Sequence, residues 1–299
     1  MTLVVVNGYF RSGTSIVWRQ LEAANPDRKV IYEPCHNDLF RALLRARQGL
    51  VNDLHKFKTW NTYLALDDRA LERLRWSHPN LDGPVLPASC PAMAWYIENL
   101  RAVFGENAVL QTNRWQFHLV DIARDGAETL HVIRNPFSVY ASISSNGDLR
   151  KRRNPMAQLR RLLNPSDRFY GWQMRQEIGR RYGHRCHGWQ RLQPFETFVY
   201  CWVLSNHTAL DTLGRHRVFC YEEICLAPTR FQQRLRQSGL QFDSSALNPR
   251  GVALLHNTDA IDAAAQRLGI DEPWHALRDF LLEEHAALNA PEPALSGAA

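Results

Sequence analysis

Two short stretches of this 299-residue chain combine residue types that bind oxyanions, at spacings that let them act together. The first is Gly8-Tyr9-Phe10-Arg11-Ser12-Gly13-Thr14-Ser15. Its G-x-x-x-x-G spacing is that of a loop whose backbone N–H groups cradle phosphate, with Thr14 where nucleotide-hydrolysing versions carry lysine. Amides at a helix N-terminus bind an oxyanion whatever side chain fills that place, and Arg11 returns a cation from within the loop. The missing lysine argues against ordinary ATP or GTP hydrolysis, in which it reaches the β- and γ-phosphates. The second stretch is Arg134-Asn135-Pro136-Phe137-Ser138-Val139-Tyr140-Ala141-Ser142. A proline two residues after the arginine opens a helix. Ser142 then lies about two turns along it, so a guanidinium and a hydroxyl can converge on one phosphate.

These residues need strand ends to hold them. Leu3-Val4-Val5-Val6 is an unbroken apolar run leading into the first loop, and Ile16, Val17, Gln20 and Leu21 then recur at helical spacing. Together they read as a buried strand, a tight loop and a helix. Lys29 to Tyr32, Ala108 to Thr112, Thr129 to Arg134 and Arg217 to Tyr221 read as four further strands. Helices are expected over Pro91–Phe104, Trp115–Arg124, Phe195–Leu213 and Pro228–Ser238, with one more opened by Pro136. This alternation predicts the α/β class, a three-layer sandwich around a mainly parallel central sheet, in a single domain over residues 1–299. Residues of about 48–90 and 146–194 fit no strand-helix unit. They are expected to be insertions or lids over the carboxyl edge of the sheet, where ligands of open α/β folds bind. The Pro- and Ala-rich stretch from Ala290 to Ala299 is expected to fray.

With the elements in place, the motifs resemble those of a known family. Phe10-Arg11-Ser12-Gly13-Thr14-Ser15 resembles the 5′-phosphosulfate loop of sulfotransferases that use 3′-phosphoadenosine-5′-phosphosulfate (PAPS), and Arg134 to Ser142 resembles that family's 3′-phosphate motif. Val30-Ile31-Tyr32-Glu33-Pro34 is similar to the Tyr-Glu-Pro that follows the second strand in carbohydrate sulfotransferases. Val218-Phe219-Cys220-Tyr221-Glu222-Glu223 is similar to the strand ending in Tyr-Glu-Asp late in the family fold. The resemblance spans roughly residues 2 to 225. Beyond them no clear Arg-Lys-Gly loop of the cytosolic small-molecule branch is found.

The resemblance implies the P-loop NTPase-like sulfotransferase fold and metal-free, in-line transfer of a sulfonate group from PAPS to an acceptor hydroxyl, on a carbohydrate, with PAP as product. The implied cofactor-binding residues are Arg11, Ser12, Gly13, Thr14, Ser15, Arg134 and Ser142. Arg11 stays charged and so acts electrostatically rather than as a proton donor. Glu33 is the expected base, with a salt bridge to Arg11 or Arg134 as its structural alternative. His118, several residues into the helix expected from Trp115, is the other candidate base, and Asn113 and Arg114 are candidate acceptor or sulfonate contacts. The competing class is a P-loop kinase-like nucleotide enzyme with an atypical loop, against which stands the lack of a clear apolar strand ending in an aspartate for magnesium.

Composition excludes other classes. With 45% hydrophobic and 22% charged residues the chain is of globular type, and no apolar run approaches the roughly 20 residues of a bilayer span. A strand begins at Thr2 with no basic leader before it, so a cytoplasmic location is expected. The six cysteines show no CxxC pair and no zinc spacing, and reduced thiols without a metal are expected. The net charge of +6 is concentrated, since Arg150 to Arg191 contains twelve Lys or Arg against Asp167 and Glu177. Interleaved with Phe169, Tyr170, Trp172, Tyr182 and Trp189, this segment would attract an anionic partner. Nucleic acid, an acidic lipid and an acidic glycan are the candidates, with a solvated helical face as the alternative; no helix-turn-helix, RNP or zinc motif supports nucleic acid, and with the carbohydrate-type resemblance an acidic glycan is the expected partner.

Overall fold

The computed structural model describes residues 2–36, 38–50, 59–79, 92–113, 115, 117–145, 174–183, 186, 188–247, 249 and 252–289. Five strands, β1 (Val4–Gly8), β2 (Val30–Tyr32), β3 (Val109–Thr112), β4 (Glu128–Ile133) and β5 (Val218–Cys220), form one sheet in the order β2-β3-β1-β4-β5. Every neighbouring pair is parallel; in the centre, Val5 of β1 stands opposite Leu110 of β3 and Thr129 of β4. All strand residues except Glu128 are buried. Successive side chains of a strand point to opposite faces, so continuous burial means that helices cover the sheet on both sides. The expected α/β class and parallel central sheet are what the chain adopts, with strand ends within one or two residues of those read from the sequence.

A parallel sheet delivers all its carboxyl ends to one edge, which Gly8, Tyr32, Thr112, Ile133 and Cys220 therefore share. The crossover from β1 leads to β2 on one side, while that from β3 passes β1 to reach β4 on the other. Such a reversal opens a crevice at the strand tips.

Helices Thr14–Ala24, Ala92–Phe104, Pro136–Ser145, Pro194–Leu213 and Pro228–Leu235 lie where the periodicity placed them. Pro194–Leu213 begins with proline at its start and a capping box in which the Gln193 amide donates to Glu196 Oε2 at 2.7 Å. Two expectations are corrected. The helix expected from Trp115 begins only at Leu119, because the Trp115 amide donates to Asn7 Oδ1 at 3.1 Å and its indole to Cys35 Sγ at 3.0 Å, holding this segment against the sheet first. Tyr221, read as the end of a strand, instead opens the helix Tyr221–Leu226. Past the last helix expected from the sequence, helices Asp259–Leu268 and Asp271–Asn289 pack on Pro194–Leu213, with Trp202 and Trp274 in edge contact at 6.4 Å.

Within residues 48–90 lie helices Asn61–Leu64 and Asp68–Ser77, and within 146–194 lies Met174–Tyr182. Residues 146–173, with most of the basic cluster, lie outside the described residues. The described cysteines are buried and in no disulfide among the described residues, and no described helix is long and apolar enough to cross a membrane.

One polar chain runs through the core. Asn7 Nδ2 donates to His131 Nδ1 at 2.9 Å, which leaves the ring proton on Nε2 to be donated to Asn206 Oδ1 at 3.0 Å. Asn206 Nδ2 continues to the Trp202 carbonyl at 2.8 Å. Burial holds His131 down to about pKa 4, against a smaller opposing effect of its bond to Asn206.

Candidate functional site

The loop after β1 is shaped by close approach. A Cβ on Gly8 would collide with the Thr14 methyl and the Val132 carbonyl, and one on Gly13 would run into the ring of Tyr221. Gly13 has φ +90° and caps the helix Thr14–Ala24 without any side-chain hydrogen bond to its first turn. Ser12 is fully buried, and its Oγ has no partner among the described residues. An uncapped helix start beside an unsatisfied buried hydroxyl is a cradle for an oxyanion.

Among the described residues, only Arg11 at φ +67° and Glu33 at φ +40° are non-glycine residues in the left-handed region. That conformation costs about 1–2 kcal/mol for a residue with a Cβ, and such costs persist where the surroundings over-determine them, often at functional sites. Both residues had been singled out for chemistry.

Arg11 reaches across to the second motif, its Nε donating to Ser142 Oγ at 3.0 Å. Arg134, leaving β4, donates from Nη1 to the Arg11 carbonyl at 3.2 Å and lays its guanidinium over the Tyr221 ring, 4.7 Å from the centroid. Arg11, Ser12, Gly13, Thr14, Ser15, Arg134 and Ser142 thus come from two crossovers to one place at the sheet edge.

Glu33 stands at the tip of β2, where its amide donates to the Gln111 carbonyl at 2.8 Å and extends the ladder by one bond. Asn113, beyond β3, donates Nδ2 to Glu33 Oε1 at 2.7 Å. The other oxygen, Oε2, has His36 Nε2 at 4.0 Å. The Asp38 amide donates to His36 Nδ1 at 3.1 Å, so Nε2 carries the ring proton and faces the carboxylate. Tyr32 and Ser15 share a hydrogen bond of 2.8 Å between their hydroxyls, tying β2 to the anion loop. Burial, with the Glu33 carboxylate next, holds the Tyr32 hydroxyl well above the usual tyrosine range, and so protonated.

His118 is placed differently from the expectation. It precedes its helix instead of lying within it, and is 1% exposed. Arg114 lies outside the described residues. Trp60 and Trp115 are buried and offer no open face on which a sugar ring could stack; Trp60 meets His36 edge-on at 5.0 Å. Sequence reasoning missed His36 and the ring of Tyr221. Only the position of His36 three residues after Glu33 could have signalled the first, and the second had no local signal.

No protein-family model matches this chain. A curated relative, an uncharacterized protein of Archaeoglobus fulgidus, is 29% identical over 150 residues, which are 47% of this chain and 47% of that protein. The chain therefore spans about half the length of the relative it matches. Among solved structures, the sulfotransferase domain from the curacin biosynthetic pathway is similar with a TM-score of 0.44 at 15% identity, covering 99% of this chain and 94% of that one. A sulfotransferase from Alicyclobacillus acidocaldarius is similar with a TM-score of 0.42 at 16% identity, covering 96% and 99%.

Proposed function

We propose that this chain is a sulfotransferase that moves a sulfonate group from PAPS to an acceptor hydroxyl, with a carbohydrate as the acceptor class favoured by Tyr32-Glu33-Pro34. The observation that carries the reading is the meeting of the two oxyanion motifs, in which Arg11 of the first donates to Ser142 of the second. The residues fit such a donor: a buried Ser12 hydroxyl lacks a partner among the described residues, the helix start is uncapped, and two guanidinium groups flank it.

PAPS would supply a sulfonate already activated by a phosphate leaving group. In this reading the Thr14 and Ser15 amides and Arg11 hold the phosphosulfate, while Arg134 and Ser142 hold the 3′-phosphate. Together they would carry the charge stabilisation that a divalent ion gives in nucleotide hydrolysis. Glu33 would take the acceptor's proton on Oε2 as the acceptor oxygen bonds to sulfur and the sulfur–oxygen bond to the leaving phosphate breaks. Asn113 keeps the carboxylate aimed by occupying Oε1.

Thermal shift with PAP, with ATP plus magnesium, and with DNA tests the reading. PAP alone, without magnesium, is expected to raise the melting temperature, since a ligand at 100 times its Kd adds about 2.7 kcal/mol. Stabilisation by ATP and not by PAP would overturn it in favour of a kinase-like enzyme, and stabilisation by DNA alone in favour of a binding protein. Transfer of label from PAPS across glycans, lipids and peptides then identifies the acceptor.

A further inference from the structure

Behind the sheet edge, Glu222 Oε2 and His285 Nε2 are buried, 3.5 Å apart, and have no well-formed hydrogen bond among the described residues. With Cys220 Sγ they bring three potential metal ligands within 4.8 Å of one another. The Leu255 amide decides between a cation and a proton, because it donates to His285 Nδ1 at 2.8 Å. A metal-bound histidine donates through its other ring nitrogen. Here that nitrogen accepts, so Nε2 keeps the ring proton and turns it toward the Glu222 carboxylate. The group suits a polar contact better than a cation.

The opposite oxygen of Glu222 shows what that contact serves. Oε1 accepts the amide of Asn135 at 3.0 Å, the residue directly after Arg134. Asn135 is pinned further, its Nδ2 donating to the Ala253 carbonyl at 2.9 Å and its Oδ1 accepting the Phe137 amide at 3.0 Å. The neighbour of Glu222, Tyr221, sets its ring close against Gly13 and beneath the guanidinium of Arg134. Tyr221 and Glu222 therefore hold Arg134 from its side chain and from its main chain, and His285 backs Glu222 from the helix Asp271–Asn289.

We infer that Tyr221, Glu222 and His285 are positioning residues for Arg134, so that the preference for a 3′-phosphate that Arg134 and Ser142 provide is strengthened by three residues that belong to neither oxyanion motif. The inference rests on the proposed PAPS reading. A flexible arginine loses rotamer freedom when it engages a phosphate; one already held by a ring face and a fixed peptide loses less, and the saving appears as affinity for that phosphate alone.

The test compares Kd for PAP and for 5′-AMP by calorimetry on the full chain. Glu222→Gln keeps the volume but turns an N–H donor toward either His285 Nε2–H or the Asn135 amide, and Tyr221→Leu removes the ring. Each is expected to shrink the ratio of PAP to 5′-AMP affinity roughly three- to tenfold, while Tyr221→Phe keeps that ratio. Parallel loss of both ligands, or an unchanged preference in both folded variants, overturns the inference. So does failure of both variants to fold, since the three residues would then hold the fold and not the arginine. If the unmutated chain shows no preference for PAP, the cofactor reading itself fails, a result distinct from all of these.

Discussion

Arg11 Nε donates to Ser142 Oγ at 3.0 Å, so the side chain of the loop after β1 ends on the helix after β4. The two oxyanion motifs are thus physically joined before any ligand arrives, and a nucleotide spanning them would meet Arg11, Arg134 and Ser142 together. Truncating a hydrogen-bonded charge at a binding interface costs about 2–5 kcal/mol. Arg134→Ala is therefore expected to weaken PAP binding well over tenfold and leave 5′-AMP binding nearly unchanged. Ser142→Ala should act in the same direction, roughly tenfold, as loss of one hydrogen bond to a charged group. Equal losses for both nucleotides in calorimetry would remove the 3′-phosphate assignment.

Glu33 is held through one oxygen by Asn113, with the other facing the His36 ring. Glu33→Gln can still accept from Asn113 but cannot take a proton. Turnover is expected to fall roughly 10²- to 10⁴-fold while PAP affinity stays near that of the unmutated chain. A drop in melting temperature with most of the turnover kept would instead make Glu33 a structural residue and move the base role to His118 or elsewhere.

The basic run from Arg150 to Arg191 carries far more charge than one nucleotide needs. Reversing Arg152, Arg153, Arg160 and Arg161 to glutamate is expected to raise the acceptor KM and to flatten its salt dependence, because exposed charges are screened over about 8 Å at physiological ionic strength. PAP affinity should hardly move. An acceptor KM indifferent to both the reversal and salt would favour a neutral acceptor.

What could be read from the sequence was local. The Val4–Val6 run, the glycine spacing after it and the eight-residue step from Arg134 to Ser142 each lie within one strand, loop or helix, and their geometry follows from period alone. What escaped depends on distant partners. The late start of the helix at Leu119 follows from the Trp115 amide finding Asn7. The ring of Tyr221 beneath Gly13 and the pairing of His285 with Glu222 exist only once β5 and the last helix have docked. Asp259–Leu268 does carry the helical pattern Ile261, Ala264, Ala265, Leu268 with Gly269 closing it, but small alanines make that signal weak against the stronger apolar periods earlier in the chain.

The buried chain Asn7–His131–Asn206 makes a prediction about pH. Burial holds His131 down to about pKa 4, from an ordinary value of 6.5. Because the folded-state value is depressed, the unfolded chain takes up a proton below pH 6.5 that the folded chain refuses until about pH 4. The stability from keeping this ring neutral is therefore complete above pH 6.5, is lost as pH falls toward 4, and changes no further below that. At 1.36 kcal/mol for each pKa unit, the whole step amounts to about 3 kcal/mol. His131→Gln can accept from Asn7 and donate to Asn206 without titrating. Subtracting its urea-unfolding free energies from those of the unmutated chain, pH by pH, cancels the other titrating groups, and the difference should slope between pH 6.5 and 4 and be flat at higher pH. A difference that stays constant from pH 7.5 to 4 would mean that the His131 ring takes up its proton at the same pH in the folded and the unfolded chain, so that burial does not hold it neutral below pH 6.5.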